Sequence, residues 1–108
     1  MARSIVILGS AKEEFKAIKS RVKSEFGDNI WNTVNAEYKK AFDRIQNRPE
    51  LGRHIDELRD LGVANVRYRL VRQTRVVYEF DDAQAIVHMF IHTRRDFRTH
   101  LLQRLLHH

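Results

Sequence analysis

The chain contains no cysteine. That excludes a disulfide framework and thiolate metal sites, and it fits a reducing compartment. It has one proline and four glycines, too few for a Pro/Gly-rich linker or a glycine-rich phosphate loop, and nothing resembles a dinucleotide fingerprint. No apolar run reaches the roughly 18 residues that a membrane-spanning helix needs. The short apolar run at the start lacks a signal-peptide cleavage pattern. No lysine follows Lys40. The terminal His107 and His108 are given no functional weight.

What is present is basic. The formal net charge is +6 and the pI is about 10.1. Residues 1–60 hold twelve basic and ten acidic side chains; residues 61–108 hold eight basic and four acidic, and all eight are arginine. Arginine presents a planar donor fork suited to phosphate and carboxylate. An arginine-only second half therefore points to an acidic or polyanionic partner. At 108 residues the chain is expected to be one domain, 1–108, large enough to bury a core without staples.

Residues 66–96 organise the rest. A period of two predicts antiparallel strands at Val66–Val71, Arg75–Phe80 and Ala85–His92. One face would carry Val66, Tyr68, Leu70, Val76, Tyr78, Phe80, Val87, Met89 and Ile91. The other would carry Arg67, Arg69, Arg75, Val77, Glu79, Ile86, His88, Phe90 and His92. The second set is expected to stay open to a partner, since an antiparallel sheet can be buried on one side only. His88 and His92, four apart, would share that face; a metal site would need a third ligand such as Glu79, and no metal or cofactor is expected.

Upstream, Ser4–Leu8 is β-branched and apolar, a first strand. Ser10 and Glu13 have the spacing of a capping box before a helix over Ala11–Phe26, whose stripe is Phe15, Ile18, Val22 and Phe26. Gly27 stops it, and Asp28 is placed to cap a second helix over Asn29–Gln46, striped by Trp31, Val34, Tyr38, Ala41, Phe42 and Ile45. The six lysines read mostly as a solvated face. Pro49 ends the second helix. Arg53–Leu61 reads as a short helical turn with Ile55, Leu58 and Leu61 inward, and Phe97–Leu106 as a terminal helix with Phe97, Leu101, Leu102 and Leu105 on its apolar side. The expected fold class is α+β: an N-terminal strand, an antiparallel helical hairpin, a three-stranded antiparallel meander completing one sheet, and a short C-terminal helix.

In this order the chain resembles the RelE/ParE superfamily, toxins of type II toxin–antitoxin modules. The residues carrying the resemblance are Ser10–Phe15 at the first helix, Arg48-Pro49-Glu50-Leu51-Gly52-Arg53 as a "P-x-L-G-R" loop, the paired strands Val66–Leu70 and Arg75–Asp82, and His92-Thr93-Arg94-Arg95-Asp96 as an "H-x-x-R-D" ending. It implies a bacterial, cytoplasmic toxin of the plasmid-stabilization kind, in a hetero-oligomer with a cognate antitoxin.

The H-x-x-R-D ending and the lack of a C-terminal tyrosine look more like the ParE branch, which binds and inhibits DNA gyrase. On that reading Arg67, Arg69, Arg75, His88, Phe90, Arg94, Arg95 and Arg98 form a partner-binding surface. The RelE branch, cleaving mRNA on the ribosome, is the alternative. There Arg75 and Arg95 would clamp the phosphate, and His92 or His88 would take the acid–base role. A member serving only in complex formation is the third reading.

Overall fold

The computed structural model describes residues 3–59 and 65–106. The expected inward positions of Leu61 and Leu105, the turn at Gly62 and the terminal histidines lie outside what is described. The elements are β1 (Ser4–Ile7), α1 (Gly9–Phe26), α2 (Asp28–Asn47), a 3-10 turn (Pro49–Leu51), β2 (Arg53–His54), α3 (Asp56–Arg59), β3 (Val66–Val71), β4 (Thr74–Phe80), β5 (Gln84–His92) and α4 (Phe97–Leu106). They form the expected α+β fold around one mixed sheet of order β1-β5-β4-β3-β2. β1 lies parallel to β5, and the other pairings are antiparallel.

The helical hairpin turns on one residue. Gly27 has φ 89° and ψ 173°, a conformation essentially reserved for glycine. Its N–H donates to the Lys23 carbonyl, closing α1, and its carbonyl accepts from Trp31 N–H, opening α2. Neither expected side-chain cap forms. Helix α1 begins at Gly9, ahead of Ser10, and has no side-chain cap; Asp28 is already the first residue of α2. The Ser10 hydroxyl instead accepts a hydrogen bond from Arg104 Nη1 at 3.0 Å.

The expected division of the sheet into a covered face and an open one is not what forms. Two register features overturn it. First, β3 and β4 are joined by Arg72-Gln73 alone, with Arg72 at φ 55°, so Val66 pairs with Glu79 and Tyr68 with Val77. Directly opposed residues share a face, which puts Val66 and Tyr68 with Val77, not with Val76 and Tyr78. Second, a bulge lies opposite Val77/Tyr78. Val77 pairs with Met89 and Tyr78 with Val87, leaving His88 as the extra residue. A bulge shifts the alternation of every side chain beyond it. Val87 and Phe90 therefore face the helical hairpin, and Met89 and Ile91 face the other way.

Both faces are covered. The hairpin side buries Trp31, Val34, Tyr38, Ala41 and Ile45 against Val71, Val76, Tyr78, Ala85, Val87 and Phe90. The other side buries Val66, Val77, Met89 and Ile91 under Ile55, Leu58, Phe97 and Leu101. Ile55, Leu58, Phe97 and Leu101 thus face inward as expected.

Candidate functional site

Each residue of the expected open face has a place in one of these two layers or at their rims. Phe90 is core. Its ring centroid lies 5.3 Å from Phe15, 5.9 Å from Tyr38 and 6.1 Å from Phe42, within the range of favourable aromatic contacts. His88 is buried, with Nε2 2.7 Å from Glu79 Oε1. Neither can meet a partner without unfolding the site. Val77 is fully buried as well.

Arg75 is half-buried on the α4 side. Its guanidinium carbon lies 4.6 Å from the Phe97 ring centroid and 5.5 Å from that of Tyr68, two cation–π contacts. Arg67 points to the hairpin side, stacks over Phe80 at 5.6 Å and donates through Nη1 to the Glu50 carbonyl. Tyr78 Oη donates to the neighbouring Pro49 carbonyl at 2.6 Å. Burial pushes the Tyr78 and Tyr38 phenols above their ordinary value, so both stay protonated donors. Gly52 packs so tightly here that a Cβ would fall 1.9 Å from Tyr78 Oη. The P-x-L-G-R segment is thus a structural clasp, and its glycine is required by close approach.

The His92–Asp96 turn is differently exposed. His92 Nε2 lies 3.1 Å from Gln73 Oε1, and its Nδ1 accepts from the Arg94 N–H at 3.0 Å. These partners set the neutral tautomer with the proton on Nε2. Asp96 accepts from Thr99 through both carboxylate oxygens, at 3.2 Å from the amide and 2.7 Å from the hydroxyl. These bonds cap α4 and hold the Asp96 carboxyl below its ordinary value. Arg94, Arg95 and Arg98 are exposed.

His92 and Arg95 line one cleft together with Glu14, Arg21, Thr74 and His100. The structure therefore brings His92 and Arg95 together, but sets Arg75 apart on the other layer. The proposed His88–His92 pairing on one face also fails, because the bulge separates them. Among the described residues no cluster of three His, Cys, Asp or Glu side chains could hold a metal ion.

Where β1 ends at Ile7, the edge of β5 would be bare. Two side chains occupy it. Phe90 N–H donates to Glu14 Oε1 at 3.1 Å, and the His88 carbonyl accepts from Arg104 Nη1 at 2.6 Å. Arg104 Nη2 and Glu14 Oε2 are 2.7 Å apart. Arg104 ties α4 to α1 and to the bulge at once.

Two surface features escaped the sequence reading. The tip of the hairpin, where α1 and α2 meet at Gly27, is not fully covered by the sheet. Its overhang leaves an apolar groove of about 600 Å³ lined by Ile18, Val22, Phe26, Ile30 and Val34, with Arg21, Arg72 and His92 at the rim. Phe26 is 62% exposed and Ile30 44%. The only sequence signal was that the α1 stripe ran on to Phe26. The second feature is a basic cleft between α2 and β3, lined by Lys40, Arg44, Arg53, Arg69 and Arg72.

A helical hairpin over a mixed sheet, with a basic surface and an unfilled apolar groove, defines a small basic α+β domain. The chain matches the family described as "ParE toxin of type II toxin-antitoxin system, parDE" over residues 5–97. It belongs to the ParE toxin family. Its fold is similar to a solved chain titled "Chromosomal ParDE TA system from P. aeruginosa", with TM-score 0.68 and 14% identity, covering 85% of this chain and 97% of that one. Among curated protein sequences, none matches.

Proposed function

We propose that the protein is a ParE-like toxin that inhibits DNA gyrase by binding, and that a cognate antitoxin neutralises it. Family membership supports the toxin role. The observation that favours binding over mRNA cleavage is the separation of the three nuclease candidates: Arg75 is stacked on Phe97 and Tyr68 under α4, away from the cleft of His92 and Arg95. A phosphoryl-transfer centre needs its clamp and its acid or base converging on one phosphate. The overhang groove, apolar with arginines at its rim, fits an amphipathic antitoxin segment with acidic flanks. Such segments are commonly disordered until bound.

The second reading, a ribosome-dependent endonuclease, draws on His92 and Arg95 lining a cleft with Arg21 and His100. A pair of assays separates the two. Purified toxin is added to a gyrase supercoiling reaction and to a translating extract whose mRNA 5′ ends are mapped. Loss of supercoiling with intact mRNA is the expected outcome. New ribosome-dependent ends that vanish in Arg95→Ala would make it a nuclease. Phe26→Asp with Ile30→Asp, both at exposed positions, is expected to weaken antitoxin binding at least tenfold in calorimetry.

A further inference from the structure

We infer that the cleft between α2 and β3 binds the phosphate backbone of duplex nucleic acid, on a surface that adjoins the apolar groove at Val71 and Arg72. The cleft is a hollow of about 380 Å³ lined by Lys40, Arg44, Arg53, Arg69 and Arg72. A second hollow of about 500 Å³, lined by Arg44, Arg48, Leu51, Arg69 and Asp43, continues it. Because Arg44, Leu51 and Arg69 line both, the two make one basic track.

Four observations point to phosphates. The carboxylate inside the cleft is already spent: Glu37 holds Arg72 through both oxygens, at 3.0 and 2.9 Å, and its carboxyl is lowered by that contact. Among the described residues, Arg44, Arg48 and Arg53 form no ion pair, and Lys40 acts on Glu37 only from a distance. Arg69, at the floor beside the Tyr78 phenol, has only a long contact from Nη2 to the Arg48 carbonyl, at 3.5 Å. Finally, Lys40 and Arg44 lie one turn apart on α2, about 6 Å along its axis, and Arg48 follows just past its end. One strand of a duplex rises about 3.4 Å per phosphate while winding around its axis, so charges at this spacing can meet neighbouring phosphates.

The remaining lining argues for a backbone contact without base readout. Tyr68 lines the cleft, but its ring is engaged by Arg75 and Phe97, leaving no free aromatic platform for a base. Asp43 lines the second hollow and would limit affinity there. On a target that itself holds DNA, such a track would add contacts beyond the protein–protein surface.

The test uses the full chain and a fluorescein-labelled mixed-sequence 16-bp duplex, with anisotropy followed from 50 to 200 mM salt. Five phosphate contacts predict a log–log salt slope of about −4 to −5. Lys40→Ala with Arg44→Ala should reduce the slope by about 2 and weaken binding at least tenfold. Lys12→Ala with Lys19→Ala removes the same charge from the exposed face of α1 and should leave the slope within about one unit of the parent, losing less affinity. Equal losses in the two double variants would mean general charge attraction and overturn the inference. So would no binding at 50 mM salt, or competition by an octaglutamate peptide as effective as duplex at equal charge, which would assign the cleft to an acidic protein segment. None of these outcomes depends on gyrase or the antitoxin.

Discussion

On the hairpin side of the sheet Phe90 meets Phe15, Tyr38 and Phe42, and Trp31 meets Phe15 at 5.7 Å. On the α4 side the apolar residues are mixed with charge: Arg75 over Phe97, His88 against Glu79, and Arg104 reaching across to Glu14. The first layer is built by two long helices joined through a single glycine. The second is a ten-residue helix and a short turn. Burial of rings is non-directional and tolerant of small shifts. A layer held through arginine contacts depends on a few directed bonds. The difference implies that the hairpin layer sets global stability, whereas the α4 layer can loosen by itself.

The largest effect expected from breaking this contrast is Phe90→Ala. Emptying the centre of the aromatic cluster should cost about 3–5 kcal/mol in urea unfolding. Leu101→Ala removes a similarly buried side chain from the other layer. There the equilibrium cost should be capped by the local stability of α4, so that its amides exchange faster while those of β4 and β5 keep their protection. Equal loss of protection in both layers would erase the distinction.

A smaller effect is expected from Arg104→Ala. It leaves the half-buried Glu14 and the His88 carbonyl without their cation, at a cost of about 1–3 kcal/mol. Exchange should rise first in α4 and at the exposed edge of β5. If Arg104→Ala instead destabilised α2 as much as α4, the latch would not be local.

The smallest effect concerns pH. Hydrogen bonds from Thr99 lower the Asp96 carboxyl from its ordinary 3.8. A depressed folded value contributes stability that is present above the unfolded value and is lost as pH falls through the folded one. The capping bonds of α4 should therefore weaken in acid, below about pH 4, seen as a shift of the Thr99 amide in an NMR titration. Asp96→Asn should flatten that titration.

Most of the elements could be read along the chain, because helical stripes and strand alternation are local patterns. The three meander strands, both long helices and the terminal helix lie within about a residue or two of their expected ends. β2 was not anticipated. It is two residues long, pairs with β3, and follows Gly52, where the chain passes too close to Tyr78 for a Cβ. The site was less legible. His92 and Arg95 do meet in one cleft, but Phe90 and His88, assigned to a partner surface, are buried. That error came from one extra residue in β5, which moved Phe90 to the hairpin side, and from α3 and α4, which cover the face expected to stay open. Alternation carries no mark of a bulge, and one shift exchanges the two faces for all residues after it. Lys40, read as part of a solvated face, gains its neighbours Arg53 and Arg69 only when β3 is laid against α2.

By itself, the sequence determined the order of elements, the aromatic stripe that became the main core and the arginine bias of the second half, since periodicity, propensity and charge belong to the chain wherever it runs. Only the tertiary structure decided which side chains are available. Register, bulge and the docking of the hairpin and α4 on the sheet arise between segments far apart in sequence. They buried Phe90 and His88, stacked Arg75 beneath α4, and left Phe26, Ile30 and the Lys40–Arg44–Arg48 track facing solvent.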